Sequence, residues 1–230
     1  MAGKEIRTPS EAWLPLLPAF LLPIFFFYFG RAESFEIFFG APGAELSTSP
    51  IYYEWGFGIL LFTIIPILIW TGVLGYSIKD IGIHFGSVKK ILLLFPAVFI
   101  FILIYAYIAA NFQEFHLLYP RFKYIGMSDS NEIIKYYFIA SLFIFSHELF
   151  FRGFIIQGLK NNLGPAAAIL ISSMAAAPIF AASSIMEGTI GIIVNLLYAT
   201  LAVRSGSFLY SALLAWIWMF TLDWMIIYGI

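Results

Sequence analysis

The chain has no cysteine, which excludes disulfides, thiolate zinc sites, iron–sulfur clusters and a cysteine nucleophile together. Charge is scarce as well. Lys, Arg, Asp and Glu make up 11% of the 230 residues, where a soluble domain carries roughly 25%. Too few polar side chains exist to cover a water-facing surface, so a soluble globular enzyme is excluded. A disordered segment would need low hydrophobicity, the opposite of what is found. The formal net charge of −1 lacks the basic footprint that phosphate backbones require, and no nucleic-acid partner is expected. What is abundant is apolar: 62% of residues are hydrophobic and 20% aromatic, with 26 Phe. This composition predicts an all-α fold, a polytopic transmembrane helical bundle whose first partner is membrane lipid.

A helix needs about 20 mostly apolar residues to cross the hydrocarbon core. Seven stretches qualify: 12–30, 54–77, 90–111, 134–158, 164–184, 188–203 and 207–228. An eighth span would need a different division of the N-terminal third. The stretch 188–203 is the weakest, being short and carrying Asn195. The first carries Pro15, Pro18 and Pro23, which predicts a bent helix. No small-residue cleavage site follows a short apolar core, so a cleaved signal peptide is not expected. Lys4, Arg7, Lys79, Lys89, Lys90, Lys160 and Arg204 fall on one side of this layout, and Arg31, Arg121, Lys123 and Lys135 on the other. Acidic residues, Glu54, Glu132 and Glu187 among them, crowd the second side. The basic excess places the N-terminus in the cytoplasm. Loops 31–53 and 112–133 then lie outside, with Phe35–Phe39 read as lying flat in the interface. Neither repeat nor linker divides residues 1–230, so one domain is expected. The compact size and missing targeting signal suit a bacterial inner membrane.

A charge at mid-membrane is costly, so ionisable residues there are functional candidates. They concentrate in Ser146-His147-Glu148-Leu149-Phe150-Phe151-Arg152-Gly153. Glu148 and Arg152 are four apart, share a helix face and can pair. His147 sits about 100° round the helix from Glu148, and His147 and Arg152 diverge. Arg152 is placed near the cytoplasmic end, where its head can snorkel to the interface. Two readings stand side by side. Glu148 is a general base, or orients one, in a water-filled cavity. Alternatively the pair locks helices together, with His147 satisfied by a backbone carbonyl. Ser172, Ser173, Ser183 and Ser184 read as small residues that let helices approach. Asn195 is either interhelical glue or a cavity-lining group. Asp223 is expected to reach the outer interface, and His84 and His116 to lie on the surface. One His and one Glu cannot supply the three protein ligands of a catalytic zinc, so no metal and no cofactor are expected.

The segment His147–Gly153 resembles the Glu-Glu-x-x-x-Arg motif of the CAAX protease and bacteriocin-processing family. These intramembrane proteases include the Rce1-type prenyl-protein endopeptidases and the bacterial self-immunity (ABI) proteins. Further segments are similar in order. Asn162-Leu163-Gly164 precedes an Ala-rich helix, and Ile169-Leu170-Ile171-Ser172-Ser173 resembles the start of the second motif helix. The run from Leu197 to Leu209 is similar to the Arg-Thr-Gly-Ser turn and the helix before it, and Tyr210-Ser211-Ala212-Leu213-Leu214-Ala215 to the lead-in of the third motif. Upstream, Ser77-Ile78-Lys79-Asp80-Ile81-Gly82-Ile83 resembles the loop before the core. The resemblance covers about 136–222 and is weak before 76.

The resemblance implies a catalytic set of one Glu, a His on the second motif helix and a His-x-x-x-Asn/Asp on the third. Here the first Glu position is His147. The second-motif His falls on Phe180 in one register and Ser184 in another. The third-motif positions fall on Trp216 and Phe220, whose rings would fill the seat of a substrate carbonyl and water. Only Glu148 and Arg152 remain. The first implied reading is therefore a CAAX-protease-like membrane protein with a degenerate or remodelled peptidase centre. It would bind a membrane-proximal peptide, or a partner membrane protease or sorting enzyme. The second is an active intramembrane endopeptidase using Glu148, His147 and Arg152 on prenylated, leader or sorting-signal peptides. Asn195 or Ser184 would then supply the oxyanion donor. A small-molecule carrier is the third, and the paired broken helices of transport sites are missing.

Overall fold

The computed structural model of the chain describes residues 9–40, 48–181 and 184–229. Among them every regular element is helical. Helix α1 (Pro9–Phe25) runs into a π-helical turn (Phe26–Gly30), and α2 (Ala32–Phe39) follows after a 54° bend. Then come α3 (Ser49–Val73), α4 (Leu94–Ala109), the short α5 (Gln113–Leu118), α6 (Ser130–Leu163), α7 (Pro165–Ala181), α8 (Ile185–Ser205) and α9 (Leu209–Tyr228).

Each of the seven expected stretches falls on a helix. Helices α3, α6, α8 and α9 are long and apolar enough to cross a bilayer alone, and α1 with α2 can form one more span. Helices α4 and α7 have 16 and 17 residues. At 1.5 Å per residue they reach about 24–26 Å, short of the ~30 Å hydrocarbon core. The weakest expected stretch, 188–203, proves to be a full helix of 21 residues. It starts earlier because the Ser184 side chain caps it, accepting from the Glu187 amide at 2.9 Å. The sharp bend near the N-terminus falls at Arg31, beyond the three prolines. It leaves Ile37, Phe38 and Phe39 exposed on α2.

Contacts between loops sort the two ends of the bundle. At one end Ser87 N donates to Ser205 O (2.8 Å), Ser207 Oγ to Gly82 O (3.1 Å) and Tyr210 OH to Phe85 O (2.6 Å). This end gathers Lys79, Lys89, Lys90 and Arg204. At the other, Tyr52 OH donates to Glu132 (2.7 Å) and Tyr119 OH to Glu187 (2.7 Å). Among the described residues, the basic group Lys79, Lys89, Lys90 and Arg204 and the acidic group Glu132 and Glu187 thus lie at opposite ends, and Lys4 and Arg7 fall outside the described residues. His84 and His116 are exposed, as expected.

The interior is built on rings. Phe26, Phe62, Phe150, Phe151 and Phe154 are buried together with Trp70 where α1, α3 and α6 meet. Dispersion and ring packing hold such a core, since lipid outside is as apolar as Phe inside. Outward faces carry Leu17, Phe20, Leu68, Val73, Ile100 and Ile104, an apolar surface too wide for water. One glycine is required by a close approach. A Cβ on Gly153 would lie 2.8 Å from the carbonyl oxygen of Ile81, so only Gly lets the 77–82 loop seat against α6.

Candidate functional site

The centre of the site is a local distortion of α6. The helix is α-helical to Glu148, then takes π-helical hydrogen bonding over Leu149–Ile155 before resuming. Such π segments recur at functional sites because they re-aim side chains without ending the helix. Here the segment carries Arg152 inward. His147, Glu148 and Arg152 are 7%, 2% and 0% exposed, so the expectation that Arg152 snorkels to the interface is corrected. Helix α8 covers it: Arg152 Nη2 donates to Asn195 Oδ1, and the guanidinium lies 5.9 Å from the Tyr198 ring centre.

These groups form one network. His147 Nδ1 lies 3.2 Å from Glu148 Oε1, and Arg152 Nε lies 3.3 Å from Glu148 Oε2. The Ser211 hydroxyl of α9 donates to Phe208 O at 2.8 Å. His147 and Arg152, which diverge along the helix, are joined through the Glu148 carboxylate between them. The Glu148–Arg152 pair lies within one helix, and it is Arg152 to Asn195 that ties α6 to α8. Asn195 is both interhelical glue and a cavity-lining group.

The network borders a cavity of about 170 Å³. A water needs about 10–15 Å³ of such space, so it holds on the order of ten. Helix α6 contributes Phe143, Ile144, His147 and Glu148; α8 contributes Glu187, Gly191, Val194, Asn195 and Tyr198; α9 contributes Ala215, Trp218 and Met219. Toward the acid-rich end the wall is made by Arg31, Glu54, Tyr119 and Arg121. There Arg121 Nη2 meets Glu54 Oε2 at 2.6 Å, and the same oxygen accepts from the Ala32 amide at 3.0 Å. Glu54 raises the Arg121 guanidinium above its ordinary value, keeping it charged. Burial, with the Glu187 carboxylate beside it, raises the Tyr119 phenol well above its usual range, so it stays a donor.

Several expected site residues lie elsewhere. Trp216 and Phe220 do not line the cavity. The Trp216 indole donates to Ser141 Oγ at 2.6 Å and its ring packs on Phe220 (4.4 Å), which stacks on Tyr137 (4.2 Å). Trp216 is 38% exposed. The cavity face of α9 is set one residue earlier, so the two positions one turn apart are Ala215 and Met219. Neither can hold a proton or donate to an oxygen. Ser184 serves as the α8 cap and is absent from the cavity wall. The Phe180 and Ser183 side chains lie outside the described residues. Ser172 does more than permit packing, since its hydroxyl donates to Phe151 O at 2.7 Å and pins α7 to the π segment. Asp223 does not reach an interface: it is 0% exposed, facing Tyr137. No group of three or more potential metal-ligating side chains occurs among the described residues.

Sequence reasoning missed Glu54, Arg121, Glu187, Tyr198 and Trp218 as wall residues. Two signals were present. Ser184-x-x-Glu187 has capping-box spacing, which fixes Glu187 at a helix start. Gly191, Val194, Asn195 and Tyr198 follow the spacing of one helix face. Nothing local joins Glu54 to Arg121.

Residues 129–221 match the family described as type II CAAX prenyl endopeptidase Rce1-like. The match spans α6 to most of α9, the helices that supply the network and three walls of the cavity. No curated protein and no solved structure matches the chain.

Proposed function

Starting from an Rce1-like core in an integral membrane protein, we propose that the cavity receives a membrane-proximal peptide segment and holds it without hydrolysing it. The observation that carries this reading is the state of the cavity wall. Hydrolysis needs a base free to take a proton from water and donors aimed at the developing oxyanion. Glu148 is engaged on both oxygens, by His147 and by Arg152. On the cavity face of α9 stand Ala215 and Met219, whose side chains can neither hold a proton nor donate, while Trp216 and Phe220, the positions that the resemblance aligns with an imidazole and an amide, do not line the cavity. What remains is a shaped, aromatic-lined hollow with the ion pair as its structural floor. The bound segment is a substrate-like peptide or part of a partner membrane enzyme. A bacterial inner membrane with a cytoplasmic N-terminus is the setting that goes with this reading.

The test is photocrosslinking in proteoliposomes. An apolar peptide carrying a photoreactive side chain is expected to label α8 or α9 residues of the cavity, with no cleavage product by mass spectrometry.

A second reading, an active endopeptidase, is favoured by one observation: His147 and Glu148 touch on the cavity wall. It requires a shortened peptide that appears with the wild type and is lost in Glu148→Gln. That outcome would overturn the non-hydrolytic proposal.

A further inference from the structure

Asn195 and Trp218 stand on different helices, α8 and α9, and both line the cavity. The Asn195 side chain is 1% exposed. Its orientation is fixed chemically. A guanidinium can only donate, so the amide oxygen must face Arg152 and the amide nitrogen must face away. That nitrogen, Nδ2, is buried and has no hydrogen-bond acceptor. The Trp218 indole Nε1 is in the same condition: its N–H is buried and has no acceptor. The ring cannot easily turn to find one. It stacks on Tyr105 at 5.5 Å between ring centres and 11° between planes, and Tyr119 packs edge-on against it at 5.4 Å.

A buried donor without an acceptor is costly to the fold. Two such donors bordering one cavity, one from α8 and one from α9, call for an oxygen that the chain itself does not supply. We infer that Asn195 Nδ2 and Trp218 Nε1 form a carbonyl clamp, which holds a main-chain carbonyl oxygen of a bound apolar peptide. This rests on the peptide-binding reading of the cavity and names the chemistry by which it is done.

The neutrality of the donors selects the ligand. Arg152, the nearest cation, is already matched to Glu148 at 3.3 Å, and Arg121 to Glu54 at 2.6 Å. A phosphate or carboxylate would bring negative charge beside Glu148 and Glu187, and Arg31, the remaining arginine of the wall, is itself paired with Glu33 at 3.1 Å. An amide carbonyl asks only for the two N–H groups. Apolar neighbours Val194, Ala215 and Met219 then take the side chains that flank it.

The experiment uses the full chain in phosphatidylcholine nanodiscs and a capped Leu/Ala hexapeptide bearing one photo-leucine. Trp218→Phe keeps the ring stack and removes the N–H. Asn195→Asp keeps the shape and the Arg152 contact but turns the donor into an acceptor. Each is expected to weaken peptide affinity roughly five- to tenfold, the worth of one neutral hydrogen bond. Trp216→Phe, outside the cavity, is expected to bind as the wild type does. Equal affinity in wild type, Trp218→Phe and Asn195→Asp would overturn the clamp and leave the peptide cavity standing. Should Asn195→Asp fail to fold, Trp218→Phe decides alone. Displacement of the peptide by phosphatidylglycerol added to the nanodiscs would mean that the site takes a phosphate oxygen, and would also overturn the assignment. A wild type that captures no peptide would bring down the cavity reading and the clamp together.

Discussion

Two carboxylate–arginine pairs flank the same cavity and differ in kind. The inner pair, Glu148 with Arg152, joins residues one turn apart in α6 at 3.3 Å, with side chains 2% and 0% exposed. The outer pair, Glu54 with Arg121, joins α3 to the loop before α6 at 2.6 Å, with side chains 10% and 22% exposed. The outer contact is the shorter, yet the inner one is the harder to break. Separation sets the Coulomb attraction, but depth sets what happens to the survivor when its partner is lost. A charge stranded in a dry interior has no water to turn to, whereas one at the rim is rehydrated.

The largest expected effect sharpens this contrast. Glu148→Ala strands Arg152 at full burial and is expected to cost about 3–5 kcal/mol of stability. Unfolding in nanodiscs, followed by denaturant titration, measures it. The double variant Glu148→Ala/Arg152→Met should recover a large part of the loss, because the stranded charge goes with its partner. Equal damage from the single and double variants would mean that packing around the π segment, and not the uncompensated charge, is what matters.

Next in size is the outer pair. Glu54→Ala removes the Arg121 contact and the acceptor of the Ala32 amide, at about 1–2 kcal/mol, because both survivors can reach water. The stability loss should be smaller than for Glu148→Ala, while the loop that carries Tyr119 and Arg121 should become more accessible to limited proteolysis. A loss as large as that at Glu148 would erase the distinction between depth and distance.

The same contrast explains what could be read from the sequence. Glu148 and Arg152 are four residues apart, and helical periodicity alone brings them together. The apolar runs give the helices for the same reason, since span length is a local property. The outer wall is not local. Glu54 and Arg121 are 67 residues apart in sequence, and no spacing rule reaches that far. The rotation of α9 was missed by a single residue: Ala215 and Met219, not Trp216 and Phe220, face the cavity. An aromatic on a membrane helix suits a lipid face and a cavity face equally, so composition could not choose between them. Arg152 was misplaced because the π segment, which turns it inward, leaves no mark in the hydrophobic pattern.

The smallest effect probes the wet end of the comparison. Lys123 donates from Nζ to His116 O and Tyr119 O, both at 3.0 Å, on the loop that presents Arg121. Burial, and then the Arg121 charge, lower its amine from the ordinary 10.5 to about 8, with Asp223 pulling the other way. Between those two values the unfolded chain keeps a proton that the folded one has released. Stability therefore rises with pH across this window. A neutral amine still donates to both carbonyls, so the loop keeps its clasp while losing the repulsion from Arg121. The rise is expected to be slight, because the amine is half exposed and water screens it. The melting temperature followed across roughly pH 7.5 to 10.5, which brackets the window between the two values, should climb in the wild type. It should climb measurably less in Lys123→Met, in which no charge remains to be released at that position. A slope unchanged in Lys123→Met would assign the titration to another group and remove Lys123 from the loop's electrostatics.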